Sequence, residues 1–117
     1  MTGVRVMVVE DEALVAMMIL EYLEDLGCQV VATASRLQEA LEKAADVQAD
    51  VGLLDVNLAG QMSYPVAEVL RGRGIPVVFA TGYGTDGLPS TLRNVPVLSK
   101  PFRQHQLADA LQSVRQI

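Results

Sequence analysis

The sequence has one cysteine, Cys28, in 117 residues. A single thiol excludes an internal disulfide framework and any cysteine-rich metal site. An unpaired thiol suits a reducing compartment, so a cytoplasmic protein is expected. Long apolar runs are also missing. The longest, Ala13 to Leu20, is eight residues, whereas a membrane span needs about 20. The N-terminal stretch MTGVRVMVVEDE lacks the charged segment and apolar core of a secretory signal. Positive charge is scarce as well: 9 Lys plus Arg against 14 Asp plus Glu leave a net charge of −5. Duplex DNA requires a basic face to replace its counterions, so no nucleic-acid partner is expected. One histidine, His105, leaves nothing from which to build a histidine metal cluster.

What remains is an ordinary globular composition, 50% hydrophobic and 20% charged. A chain of this size buries roughly two thirds of its unfolded surface, enough for one core without staples. No repeat, charge block or Pro/Gly/Ser-rich linker divides it, so residues 1–117 read as a single domain. The hydrophobic period alternates along the chain. Short apolar, β-branched runs at Val4–Val9, Cys28–Ala34, Val51–Leu54, Val77–Thr81 and Val95–Leu98 read as buried strands. Between them, helical spacing predicts Glu12–Leu26, Leu37–Val47, Ser63–Arg73, a short helix near Leu88–Asn94, and Arg103–Gln116. Continuous rather than alternating strands imply a parallel sheet covered on both faces. Right-handed crossovers then leave a doubly wound five-stranded α/β sheet of order 2-1-3-4-5, the flavodoxin-like topology.

Such a sheet carries its ligand site at the carboxyl ends of its strands. The first strand runs into Glu10, Asp11 and Glu12, the third into Asp55, the fourth ends at Thr81, and the fifth leads to Ser99, Lys100 and Pro101. Carboxylates gathered on one rim repel one another unless positive charge sits among them. Lys100 supplies one such charge. A hard divalent cation such as Mg²⁺, which takes a few carboxylates, waters and a phosphoryl oxygen, would supply the rest.

These residues, Glu10-Asp11, Asp55, Thr81 and Lys100-Pro101-Phe102, resemble the signature of the receiver domains of two-component response regulators, over essentially the whole chain. Phe79-Ala80-Thr81-Gly82-Tyr83 further resembles the FAT GUY subgroup. The resemblance implies that Asp55 is the phosphoacceptor and that Thr81 and Lys100 bind the phosphoryl oxygens. It implies that Asp11, Asp55 and the backbone carbonyl of Asn57 hold Mg²⁺, with Glu10 acting through water, and that the Lys100–Pro101 peptide is cis. The phosphoryl donor would be a histidine kinase or a histidine phosphotransfer protein, and the output a downstream protein target. Such a domain is a switch assisting its own phosphorylation and dephosphorylation rather than an enzyme. At this length it is expected to be either a stand-alone regulator or a receiver excised from a hybrid kinase or multidomain regulator, with no output domain. Two departures stand out: Val97 replaces the aromatic usual three residues before the lysine, and Leu58-Ala59 stands where Met-Pro is common.

Rival readings are weaker. Gly82-Tyr83-Gly84-Thr85-Asp86-Gly87 spells the dinucleotide-binding G-x-G-x-x-G, but follows the fourth strand rather than the first and runs into Pro89. A flavodoxin-like FMN carrier would need a phosphate loop where Glu10-Asp11-Glu12 stands. A haloacid-dehalogenase phosphatase needs a second acid where Asn57 stands, and an amide can neither protonate a leaving group nor activate water. Two further expectations concern surfaces. Leu14, Val15, Met18 and Tyr22 share one helical face, which would dock the phosphoryl donor, while Ala13, Ala16, Leu20 and Leu23 face the sheet. With Val97 in place of the aromatic, the switch would act through Tyr83 and the Gly82–Gly87 loop, whose glycines make it permissive. Lys100, needed only once a phosphoryl group is present, should matter little to the unmodified fold.

Overall fold

The computed structural model describes residues 1–82 and 87–115. Strands β1 (Arg5–Val9), β2 (Gln29–Ala34) and β3 (Val51–Asp55) alternate with helices α1 (Ala13–Asp25) and α2 (Leu37–Ala44). A small hairpin of β4 (Asn57–Leu58) and β5 (Gln61–Met62) follows, then α3 (Tyr64–Gly72), β6 (Val77–Thr81), a 3₁₀ turn at Ser90–Leu92, β7 (Val97–Ser99) and α4 (Gln104–Arg115). The main sheet is parallel, in the order β2-β1-β3-β6-β7. With the hairpin set apart, this is the expected 2-1-3-4-5.

Two cores sandwich the sheet. On one face Ile19 and Leu23 of α1 and Leu107 and Leu111 of α4 pack on Val6, Val8, Leu53 and Val78. On the other, Ala40 and Ala44 of α2 and Val66, Ala67 and Leu70 of α3 pack on Met7, Val9, Leu54 and Phe79. Every residue of β3 and β6 is buried, which is why both read as unbroken apolar runs. Gly52 has a packing role: a Cβ there would meet Leu70 Cδ1 at 2.7 Å, so the glycine lets α3 settle close on β3. At the opposite rim from the strands' carboxyl ends, Arg5 grips Asp50 through both its backbone N–H (2.8 Å) and its guanidinium (3.1 and 3.3 Å). This lashes the start of β1 to the residue that opens β3.

Three elements differ from the sequence reading by more than a single residue at an end, each with a local cause. The short fourth helix is only the 3₁₀ turn Ser90–Leu92, confined between Pro89 and Pro96. The last strand starts at Val97 rather than Val95, because Pro96 has no N–H to give, although its carbonyl accepts the Phe79 N–H at 2.9 Å. The α2 helix stops at Ala44, and the Asp46 and Val47 N–H groups turn back onto the Lys43 carbonyl at 3.4 and 3.0 Å. Among the described residues no helix is long and apolar enough to cross a membrane.

Candidate functional site

The carboxyl ends of β1, β3, β6 and β7 meet at one rim, beside a cleft of about 500 Å³ lined by Asp11, Glu12, Asp55, Asn57, Ala59, Gly82 and Lys100. Glu10 follows β1 directly, and its backbone N–H binds the Ala34 carbonyl of β2 at 3.0 Å. Its side chain points inward, 1% exposed. One oxygen accepts from Lys100 Nζ at 2.6 Å and the other from the Glu12 N–H at 3.1 Å. Asp55 closes β3 opposite Ala80 of β6 and is 7% exposed. Its Oδ2 lies 3.3 Å from the same Lys100 Nζ, and its Oδ1 accepts the Asn57 N–H at 3.4 Å. Asp11 caps the group from the solvent side and accepts the Ala59 N–H at 3.0 Å. Thr81 ends β6 beside Ser99 and is 2% exposed, and its carbonyl takes the Lys100 N–H at 2.9 Å. The Lys100–Pro101 peptide is cis.

The electrostatics follow from this crowding. Glu10, Asp11 and Asp55 each offer an oxygen within 4.8 Å of the others. Burial, the hydrogen bond with Asp11 and the charge of Glu10 together push the Asp55 carboxyl up to about 7, against the pull of Lys100. Asp11 moves the other way. Desolvation opposes its ionisation, but the hydrogen bonds from Asp55 and the Ala59 N–H outweigh it. Desolvation likewise works against the Lys100 ammonium, and the contacts with Glu10 and Asp55 more than offset it, so its pKa is raised. One ammonium thus serves two buried carboxylates, leaving an excess of negative charge. Three convergent carboxylates are the donor set of a hard divalent cation, and Mg²⁺ fits it.

The structure brings Glu10, Asp11, Asp55, Asn57 and Lys100 together and sets Thr81 at the neighbouring strand end. The expected helical stripe does not hold as one exposed face. Leu14 is 81% exposed, but Val15, Met18 and Tyr22 pack partly buried against the core shared with α4, and Tyr22 meets the Phe102 ring at 6.4 Å. Ala13, assigned to the sheet side, is exposed, and Ile19 with Leu23 forms the buried seam. The cause is that α1 packs on the sheet and beside α4, where the Gln104 side chain donates to the Tyr22 carbonyl at 3.1 Å, so its inward arc is wider than the sheet contact alone. Met17, 57% exposed, is the other exposed large apolar residue of this helix among the described residues. Tyr83 lies outside the described residues. Lys100 proves to be engaged before any phosphoryl group arrives, contrary to the expectation that the resting fold would hardly need it.

The hairpin, and the N–H that Ala59 gives to Asp11, escaped the sequence reading. Its signals were there in Asn57 and Gly60, a side chain that bonds its own backbone and a residue tolerant of positive φ.

The whole arrangement has a family. Residues 6–112 match the response regulator receiver domain. The solution structure of SdrG from Sphingomonas melonis superposes with a TM-score of 0.84 at 43% identity, covering 96% of each chain. A beryllofluoride-activated conformation of SdrG matches at 42% identity and TM-score 0.80, over 98% of this chain and 99% of that one. PhyR from Bartonella quintana, described as an anti-anti-sigma factor, matches at 32% identity and TM-score 0.79 over 97% of this chain and 48% of its own. A protein-glutamate methylesterase/protein-glutamine glutaminase from Archaeoglobus fulgidus is 33% identical over 84% of this chain. The chain spans only 28% of that enzyme's length. This chain belongs to the receiver-domain family of response regulators, the phosphoacceptor switches of two-component signal transduction. Its Phe79-to-Tyr83 string aligns it with the FAT GUY regulators, and receiver domains bind Mg²⁺ in an acidic pocket.

Proposed function

We propose that Asp55 accepts a phosphoryl group from the phosphohistidine of a histidine kinase or phosphotransfer protein, and that the product switches contacts with a downstream protein. The observation that carries this reading is Lys100 Nζ between two carboxylates, 3.3 Å from Asp55 and 2.6 Å from Glu10, at the rim of a cleft open to solvent. In the transfer the phosphorus–nitrogen bond of the donor breaks as an Asp55 oxygen bonds to phosphorus, and charge spreads over three phosphoryl oxygens. Lys100 turns its ammonium from the lost Asp55 charge to one of those oxygens, while Glu10 keeps the lysine in place. Thr81, at the end of β6, donates its hydroxyl to another. Asp11, Asp55 and the Asn57 carbonyl would hold Mg²⁺. Both Glu10 oxygens already carry partners, so this acid would support the ion through water. The bound cation supplies charge neutralisation at the reacting oxygens.

The donor is assigned to the exposed apolar end of α1, Leu14 and Met17, which stands next to the acidic rim. The downstream partner is a protein, a reading supported by the acidic net charge and by the anti-anti-sigma description of PhyR. Beryllofluoride, which mimics a phosphoryl group, tests the site. With Mg²⁺ it should shift the Thr81 and Lys100 amide resonances of the wild type and leave those of Asp55→Asn in place. Equal shifts in both proteins would contradict the assignment.

A further inference from the structure

The β4–β5 hairpin does more than link β3 to α3. It turns through Ala59 and Gly60, both at positive φ (52° and 92°), as the type I′ form of a two-residue hairpin requires. Alanine adopts that conformation reluctantly, so something must hold it there. The nearest support is Asn57, whose Oδ1 accepts the Gly60 N–H at 2.7 Å across the turn. Leu58, 1% exposed, anchors the hairpin's base in the core, and the Ser63 N–H closes it onto the Val56 carbonyl at 2.8 Å. So braced, the turn aims the Ala59 N–H at Asp11 Oδ2, 3.0 Å away. The hairpin therefore touches two of the three clustered acids, Asp55 through the Asn57 N–H and Asp11 through the Ala59 N–H.

We infer that the Asn57 side chain is a positioning residue for Mg²⁺ binding. By holding the turn through Gly60, it keeps the Ala59 N–H on Asp11 and fixes that carboxylate toward Asp55 and Glu10. This rests on the proposed role of Asp11 as a metal ligand and adds to the carbonyl of Asn57 a second, separate task for its side chain. A carboxylate pinned by an N–H has one orientation to offer a cation, whereas a free one must be ordered on binding. Loss of such an outer support typically lowers metal affinity by about 10- to 100-fold.

The test is the Mg²⁺ dissociation constant by calorimetry, read beside the Ala59 amide resonance and its solvent exchange in metal-free protein. Asn57→Leu removes the acceptor and keeps the bulk, and should weaken Mg²⁺ about tenfold while exposing the Ala59 amide to exchange. Gly60→Ala strains the same turn from its other end and should act in the same direction. Asn57→Ser retains a neutral acceptor and should stay within about threefold of wild type. In an Asp11→Asn background, Asn57→Leu should cause no further loss, with Mn²⁺ as the probe where Mg²⁺ binding becomes too weak to measure. Wild-type affinity in Asn57→Leu, or an undiminished loss in the Asp11→Asn background, would overturn the inference. If Asn57→Leu does not fold, Gly60→Ala against Asn57→Ser decides by the same criteria. Should Asp11→Asn alone bind Mg²⁺ as wild type does, it is the assignment of Asp11 as a ligand that falls.

Discussion

Lys100 is the residue on which the resting site depends. Its ammonium, on a side chain 16% exposed, is the counter-charge for Glu10, whose side chain is 1% exposed. Removing one member of a buried pair leaves the other without compensation. Lys100→Ala should therefore destabilise the unmodified domain by about 2–4 kcal/mol, seen as a lower urea midpoint, besides blunting the response to phosphorylation. An unchanged midpoint would mean that Glu10 finds another partner. Asp55 makes the opposite contribution. Its carboxyl sits at about 7 in the folded state against 3.8 for the unperturbed group, so the folded state binds the proton more tightly. The stability linked to it is complete below about pH 3.8, falls as pH rises, and is gone above about pH 7. Asp55→Asn removes the ionisation, so in metal-free buffer at pH 8 it should be more stable than wild type by on the order of 2 kcal/mol, a gap that closes toward pH 4. A gap that does not change with pH would show that Asp55 is not the strained group. Asp11, Asp55, Thr81 and Lys100 could be picked out from sequence because each ends a strand or lies within two residues of its end, and the topology carries strand ends to one rim. That Glu10 rather than Asp55 is the nearer partner of Lys100 could not, since rotamers rather than periodicity decide it.

At the scale of elements, what could be read from sequence tracks how strongly burial stamps a pattern. The β3 and β6 strands are buried on both faces and stand out as apolar runs, with β6 at the very bounds expected. The two-residue strands β4 and β5 are too short to carry any period, so the hairpin was invisible although it reaches Asp11 and Asp55. Helix α1 failed differently. Its unbroken apolar stretch Ala13–Leu20 offers no polar face to orient it, and only the contacts with α4 reveal that Val15, Met18 and Tyr22 turn inward. This bears on docking. Leu14, at 81% exposure, can be altered without touching the core. Leu14→Glu should slow phosphotransfer from the donor about tenfold or more, as loss of an apolar anchor does at interfaces, and leave labelling by a small phosphodonor unchanged. Loss of both would indicate a damaged fold, and loss of neither would move the interface elsewhere.

Across the whole molecule, the two cores and the sheet form a rigid frame with a radius of gyration of 12.6 Å and the acidic cluster on one rim. All the groups proposed to meet the phosphoryl group come from strand ends or from the residues just after them, so the frame sets their spacing before any ligand arrives. What the frame does not neutralise is the excess of negative charge there, and this makes the chemistry depend on a cation. The most direct test is intact mass after incubation with acetyl phosphate. With Mg²⁺ the wild type should gain the mass of a single phosphoryl group. With chelator it should gain none, and Asp55→Asn should gain none under either condition. Labelling that persists in Asp55→Asn, or that ignores the metal, would contradict the account.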